Sequence, residues 1–223
     1  MAYAAAFVFF VHFMRTYIYI DGFNFYHSAI EGKPYKWLDF KSLFTRILES
    51  KNKIECIKYF TARVDGKDDP DKPLRQDIYL RALKTYIPEL SLYFGNFSTH
   101  RVWKRLVTPS GNQKSVCVFD RKEKGSDVKL AVHLLNDAWL NKFDCAVIVS
   151  NDSDLEEAIK IVKNDRNKII GWVIYDSADS NYRPSKVLRR YANFIKHITE
   201  SSLKSSQLPD PIPGTTIRKP STW

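Results

Sequence analysis

The chain has 223 residues, of which 44% are hydrophobic and 27% charged, so it can bury a full core and is not mainly disordered. Lysine and arginine number 35 against 25 aspartate and glutamate, and the formal charge of +10 favours polyanionic partners, nucleic acid first. A solvated basic surface with no specific ligand is the alternative explanation.

The cysteines Cys56, Cys117 and Cys145 are odd in number and widely spaced within apolar stretches, so they indicate neither a disulfide framework nor a zinc cluster. Buried free thiols are typical of a reducing compartment, and we expect a cytoplasmic protein. The apolar run at the N-terminus has no basic segment before it and is too short to span a bilayer. Because MRTYIYIDG reads directly as a strand, we expect the residues upstream of Met14 to be an extension before the natural start.

The rest of the chain alternates between β-branched or aromatic runs and amphipathic segments. The predicted strands are 16–20, 54–64, 90–97, 145–149, 168–174 and 194–198. The predicted helices start near Phe23 and cover 38–50, with Asp39 as a cap, then 74–86, 126–140, 153–163 and 185–191. Segments 101–108 and 114–120, joined by a Pro-Ser-Gly-Asn turn, predict an added β-hairpin. The alternation predicts an α/β fold whose parallel sheet has helices on both faces.

This pattern divides the chain into three parts. We expect an apolar extension over 1–14, one folded domain over 15–200, and a basic tail rich in Ser and Pro over 201–223. The tail is either mobile or an extended strap that docks through Trp223.

Four carboxylates fall where the carboxyl ends of parallel strands predict a ligand crevice. Asp21 ends the first strand, Asp152 and Asp154 follow strand 145–149, and Asp127 opens the helix after the hairpin. Gathered together they would repel one another unless a cation lay between them, and oxygen ligands in this number indicate Mg²⁺ or Mn²⁺. Capping or first-turn placement explains Asp127, Asp152 and Asp154 without any site. Asp21 follows five apolar residues and has no comparable helix role.

Basic residues beside an aromatic ring in the hairpin indicate a track for single-stranded nucleic acid, which needs both phosphate contacts and stacking. The alternative explanation for the hairpin is an edge strand protected by charge. For Lys124, next to the acidic motif, the alternative is a solvated surface lysine. The candidates for nucleic-acid contact are Arg63, Arg75, Arg101, Trp103, Lys104, Arg105 and Lys124.

Three segments, YIYIDGFNFYH, RKEKGSDVKLAVHLL and CAVIVSNDSDLEEAI, together resemble the NYN domain, in the LabA-like branch of the PIN-like metal-dependent ribonucleases. They occur in the family's order and bracket nearly all of 15–200. The resemblance implies a PIN-like fold whose aspartates bind one or two Mg²⁺ or Mn²⁺ ions for phosphodiester hydrolysis, with RNA as substrate. Matching positions imply the following site: Asp21, Asp127, Asp152 and Asp154 as the acidic set, Asn24 as a polar partner and Ser150 as a shaping residue. The sequence departs from the family pattern at His133 and Asn151, where Asp and Gly are common.

The expected function is therefore that of a cytoplasmic metal-dependent endoribonuclease, with the metal ions activating water and neutralising phosphate charge. We expect a monomer or small homo-oligomer with no membrane partner. One alternative is a regulatory module that binds nucleic acid on the same fold without cleaving it. A second is a hydrolase of small phosphate esters, but residues 21–24 read DGFN and lack the D-x-D arrangement that an aspartyl nucleophile would want after the first strand.

Overall fold

A computed structural model describes residues 13–67, 69–111, 113–175 and 184–223, so most of the expected extension lies outside the described residues. Its strands form a seven-stranded sheet in the order β4-β3-β2-β1-β5-β6-β7. Neighbouring strands are parallel except β3 and β4, which are antiparallel. The strands are β1 (Met14–Asp21), β2 (Asn52–Ala62), β3 (Leu90–Ser110), β4 (Gln113–Lys124), β5 (Cys145–Val149), β6 (Ile169–Tyr175) and β7 (Phe194–Ile198).

Helices cover both faces of the sheet, and each face has its own buried cluster of apolar side chains. The helices are α1 (Gly22–Phe25), α2 (Phe40–Ile47), α3 (Lys72–Tyr86), α4 (Ser126–Trp139), α5 (Glu156–Asn164), α6 (Lys186–Tyr191) and α7 (Glu200–Lys204), with a π-helical turn at Tyr26–Ile30 and a 3₁₀ turn at Ser153–Leu155. Helices α4, α5 and α6 pack on one face, while α2, α3 and α7 pack on the other. The predicted α/β architecture is confirmed. None of the helices in the described ranges has both the length and the apolar character needed to cross a bilayer.

The strand order reverses between β1 and β5. From β1 the chain adds β2 and β3 on one side, whereas β5, β6 and β7 extend the sheet on the other. Ile20 pairs with Val149, so the carboxyl ends of β1 and β5 lie side by side. In an open α/β sheet, a crevice forms outside the strand ends at such a reversal.

The hairpin differs from its prediction because β3 is one strand of 21 residues rather than two segments. Its first part pairs with β2 up to Gly95, and its continuation pairs with β4 from Asn96 onward. Helices do not cover this part, so Trp103 and Phe119 are 73% and 70% exposed. Cys117 is exposed for the same reason, and the expectation of a buried thiol there is wrong.

The segment after α7 is a strap along the core, which is the second of the two alternatives for the tail. The Leu208 N–H donates to the Trp37 carbonyl at 2.8 Å, and Trp37 Nε1–H donates to the Pro209 carbonyl at 3.1 Å. Leu208 and Ile212 are buried, and the Trp223 ring lies 5.6 Å from that of Tyr79. Helix α7, which the sequence did not predict, starts this segment with a capping box at Thr199.

Candidate functional site

Asp21 is the most buried carboxylate at the strand ends, with 4% of its surface exposed. Its Oδ1 accepts from the Asn24 N–H at 3.0 Å, and its Oδ2 accepts from the Ser150 hydroxyl at 2.9 Å. Burial raises the pKa of Asp21, and these hydrogen bonds oppose the rise while the Asp152 charge adds to it. Asp21 is also the N-cap of the short helix α1, so the expectation that it has no helix role is wrong. A capping oxygen keeps its remaining lone pair, so the cap and a ligand are compatible.

Asp127 lies in the first turn of α4 and faces the same crevice. Burial, followed by the charges of Asp21, Asp152, Glu123 and Asp154, raises the pKa of Asp127 to about 6. The charges of the other predicted carboxylates, Asp21, Asp152 and Asp154, therefore reach Asp127.

Glu123 is a fifth carboxylate that the sequence reasoning missed. It accepts from the Ser126 hydroxyl at 2.7 Å and from the Ser126 N–H at 3.2 Å, which fixes it beside the start of α4. A Cβ on Gly95 would lie 1.8 Å from Glu123 Oε1, so only glycine leaves room for this carboxylate. A glycine inside a strand marks such a close approach, and Gly95 was the available signal.

The turn after β5 is a small hydrogen-bonded unit. The Asp152 N–H donates to the Ser150 hydroxyl at 3.1 Å, and Asp152 Oδ1 caps the 3₁₀ turn by accepting from the Asp154 N–H at 2.9 Å. The Asn151 N–H donates to Asn24 Oδ1 at 3.0 Å, which ties the turn to α1. Asp152 is therefore a cap, as the alternative explanation states, and its charge also contributes to the raised pKa of Asp127.

These elements enclose an open cleft of about 600 Å³ at the point where the strand order reverses. Its lining comprises Asp21, Phe23, Asn24, His27, Ser28, Glu123, Ser126, Asp127 and Asn151. Asp152 and Asp154 lie beside it and are not part of its lining. Within the described residues, no three His, Cys, Asp or Glu side chains converge closely enough to hold one metal ion. The carboxylates surround the cleft at a distance from a shared centre.

The basic candidates are spread over three places. Arg63 pairs with Asp77 at 2.8 Å, and Arg75 pairs with Asp69 beside a second cavity. Three basic candidates, Arg101, Lys104 and Arg105, lie on the hairpin beside Trp103. Lys124 ends β4, next in sequence to the carboxylate-bearing Glu123.

Arg121 is a cation near the cleft that the sequence reasoning missed. Its guanidinium lies 4.1 Å from the centre of the Phe97 ring, and Phe97 packs edge-on against Phe23, which lines the cleft. Arg121 also pairs with Asp65 at 2.8 Å. Its place in the alternating RKEK segment gave no indication of this position.

The sequence model of the NYN domain matches residues 15–199. The chain belongs to the NYN domain family. NYN domains are part of the PIN-like nuclease superfamily, and the segments that carried the resemblance are those that build the cleft.

A curated relative is 31% identical over 94% of this chain and 75% of its own length, and it is named 6-hydroxy-3-succinoylpyridine 3-monooxygenase HspA, from Pseudomonas putida. A crystal structure of a protein of unknown function, VPA0982 from Vibrio parahaemolyticus, superposes with a TM-score of 0.52 and 16% identity, covering 85% of this chain and 95% of that one. The second similarity concerns the fold alone.

Proposed function

We propose that this NYN domain is a metal-dependent endoribonuclease that hydrolyses phosphodiester bonds at the acidic cleft. The observation that supports it is the position of Asp127 in the cleft at the reversal of strand order, where burial and the charges of four other carboxylates raise its pKa. Such an excess of negative charge, open to solvent, suits a substrate that arrives with divalent cations.

The donor set fits Mg²⁺ or Mn²⁺ by its chemistry, because every candidate ligand is a carboxylate oxygen. We assign metal binding to Asp21, Asp127, Asp152 and Asp154. When bound, the metal supplies an activated water and charge neutralisation at the phosphate. Since no three of these side chains converge in the arrangement described above, an ion held by all four would require them to draw together.

The surrounding residues fix the geometry of this set. The Ser150 hydroxyl accepts a hydrogen bond from the Asp152 N–H and donates one to Asp21, so it links the ends of β1 and β5. Asn24 joins α1 to the turn after β5. Loss of the Ser150 hydroxyl would leave Asp21 without a positioning partner, and loss of the Asn24 side chain would free the turn after β5 from α1. Either change lowers activity without removing a ligand.

RNA binding in this proposal uses the exposed hairpin. Trp103 offers a stacking surface, and Arg101 and Arg105 lie on the same strand. Lys104 is paired with Asp120 at 2.7 Å, and Arg63 with Asp77, so both must exchange a carboxylate for phosphate. Arg121 and Lys124 lie closer to the acidic cleft and are our candidates for contact near the cleaved bond. We propose a cytoplasmic location and a monomer or small homo-oligomer.

The test is cleavage of a labelled single-stranded RNA, with a DNA of the same sequence, in Mn²⁺ or Mg²⁺ and with a chelator as control. Asp152→Asn keeps the cap, because Asn caps as well as Asp does, and removes the charge. Asp165→Asn, an exposed position at the end of α5, is the matched control.

Metal-dependent cleavage of RNA that is lost in Asp152→Asn and kept in Asp165→Asn supports the proposal. Binding of RNA without cleavage in either metal contradicts it and favours the regulatory module. Equal cleavage by Asp152→Asn places the activity elsewhere or in a contaminant.

A second candidate function is hydroxylation of a small substituted pyridine, the activity stated in the name of the curated relative. It is favoured by a separate cavity lined with aromatic rings beside the acidic cleft. The test is consumption of O₂ with 6-hydroxy-3-succinoylpyridine and a reduced nicotinamide as electron donor. No consumption above the substrate-free rate would remove this candidate.

A further inference from the structure

The second cavity lies among α1, β2, α3 and the strap, and its volume is about 310 Å³. This volume is in the range of small-molecule sites. Six of the aromatic side chains that line it are Phe25, Tyr26, Phe40, Tyr59, Tyr79 and Trp223.

Five of these rings lie in two packed groups. Phe40 lies 5.2 Å from Tyr59 and 5.5 Å from Phe25, measured between ring centres, and both distances are typical of aromatic pairs. On α3, the Tyr79 hydroxyl donates to the Leu38 carbonyl at 2.9 Å, which fixes its ring against Trp223. Such fixed apolar surfaces suit a flat aromatic ligand.

Gly22 allows the Tyr59 ring to lie against the backbone. A Cβ at this position would be 2.9 Å from Tyr59 Cζ and 2.6 Å from the Phe60 carbonyl oxygen. The peptide that follows Asp21 therefore forms part of the wall between the aromatic cavity and the acidic cleft. Phe23 and His27 line both spaces.

The cavity also carries an excess of positive charge. Its lining includes Lys36, Lys72 and Arg75 against the carboxylate of Asp69. Arg75 is paired with Asp69, whereas neither Lys36 nor Lys72 forms an ion pair with any other described residue. A ligand with an anionic group would give these ammonium groups a partner.

From this combination we propose that the aromatic cavity binds a small planar aromatic carboxylate, with its ring among the aromatic side chains and its carboxylate at Lys36 and Lys72. This concerns binding at a site separate from the carboxylate ligands, so it holds or fails independently of RNA cleavage. It also does not require that the ligand be oxidised.

The first experiment is calorimetric titration of the full chain with pyridine-3-carboxylate. Pyridine-3-carboxamide keeps the ring and removes the charge, and cyclohexanecarboxylate keeps the charge and removes the flat ring. A hydrogen bond to a charged group is stronger than one to a neutral group, so we expect the amide to bind roughly tenfold more weakly or worse. We expect weaker binding of the saturated acid as well, because it cannot stack.

Two sets of variants locate the binding. Trp223→Ala and the double variant Lys36→Gln/Lys72→Gln should each weaken binding of pyridine-3-carboxylate about tenfold. Trp139→Ala, which removes a tryptophan 67% exposed on α4, and Lys84→Gln, on the last turn of α3, are the matched controls and should bind as the unchanged protein does. The lysine variant leaves the strap contacts intact, so it decides the matter if Trp223→Ala unfolds.

Three results would overturn the proposal. They are equal affinity for all three probes, no detectable binding of pyridine-3-carboxylate at millimolar concentration, and unchanged affinity in the lysine variant. Tighter binding of uridine monophosphate, weakened by the same variants, would also overturn it by assigning the cavity to a nucleotide.

Discussion

The carboxylate of Asp127 destabilises the fold when no cation is bound, because its burial and then the neighbouring charges disfavour its ionised form. Since its pKa is raised to about 6, this cost is absent when the group is protonated in both states, below about pH 4, and is complete above about pH 6. Asp127→Asn should therefore raise stability at pH 8 by on the order of 1–2 kcal/mol, after allowing for solvent screening. Urea unfolding at pH 8 and pH 4 measures this, and the gain should vanish at pH 4. A loss of stability at pH 8 would contradict it.

Adding metal should make the unchanged protein more stable than Asp127→Asn. A ligand that binds only the folded state raises its stability, so Mn²⁺ at millimolar concentration should raise the Tm of the unchanged protein. We expect a smaller rise in Asp127→Asn, because a ligand is missing. Thermal unfolding with and without Mn²⁺ measures this difference, and an equal rise in both proteins would remove Asp127 from the metal site.

A second buried carboxylate has the opposite effect on stability. Asp137 is fully buried on α4, where it accepts from the Tyr19 hydroxyl at 2.9 Å and pairs with Lys58 and Lys142. Burial alone would raise the pKa of Asp137, but the hydrogen bonds from Lys58, Tyr19 and Lys142 outweigh it and lower the pKa. The stabilisation that the ionised Asp137 contributes is fully present above the pKa of about 3.9 in the unfolded chain. It is lost as the pH falls through the lower pKa of Asp137 in the folded protein.

Asp137→Asn should destabilise the fold by about 3–5 kcal/mol at pH 7, because Lys58 is left buried and unpaired. Adding Lys58→Met to the same chain should recover much of the loss. Urea unfolding of both variants measures this, with Asp165→Asn as the exposed control. A loss that stays constant below pH 4 would show that charge at Asp137 is not its cause.

Strand-end reasoning reached Asp21 and the turn after β5 because a parallel sheet must bring those positions to one edge, and it reached Asp127 as the start of the helix after the hairpin. It did not reach Glu123 or Arg121. Both lie in a strand of alternating charges that reads as solvent-facing, and their positions depend on how β4 pairs with β3. Local sequence does not determine which residues of two strands pair.

At the scale of elements, the hairpin is the part that reaches furthest from the covered sheet. Arg101→Gln/Arg105→Gln should weaken RNA binding, and the slope of log K against log salt should fall in magnitude by roughly 1.4, about 0.7 for each phosphate of a single strand that is no longer neutralised. Fluorescence anisotropy at salt concentrations from about 50 to about 200 mM, where the effect is large, measures this slope. Arg46→Gln on α2 is the control, and an unchanged slope would leave the hairpin as a charged edge.

Local sequence patterns do not predict that β3 is one continuous strand. Residues 96–100 read NFSTH, a polar stretch that resembles a break between two strands. The structure keeps them extended because each pairs with a residue of β4, from Asn96 with Lys124 to His100 with Asp120. Conversely, Asp39 was predictable as a cap, since its carboxylate accepts from the Ser42 N–H at 3.0 Å in a purely local contact.

At the scale of the whole molecule, the strap belongs to the same core as the sheet. Leu208 is 4% exposed and packs with residues of α2 and β2 in one apolar cluster. Leu208→Ala should cost about 2–5 kcal/mol of global stability. Urea unfolding followed by near- and far-UV circular dichroism should show one coincident transition, while Leu140→Ala, 57% exposed, should change little. A separate early transition would show that the strap unfolds alone.

The α/β class and the reversal of strand order follow from the alternation of elements, so they could be predicted. The place of the strap could not, because Ser- and Pro-rich composition is compatible with either a mobile or a docked segment. Its docking depends on the Trp37 surface, about 170 residues away in the chain, meeting Leu208 and Pro209.

The shared wall at Gly22 predicts that binding in the two cavities is thermodynamically linked. Phe23 and His27 present surface to both sides, and Asp21 forms the edge of one of them. We expect a molecule that fixes Phe23 from the aromatic side to change the access of water to the carboxylates on the other side. Linkage is reciprocal, so a cation that alters the acidic side must change the affinity of the aromatic side by the same factor.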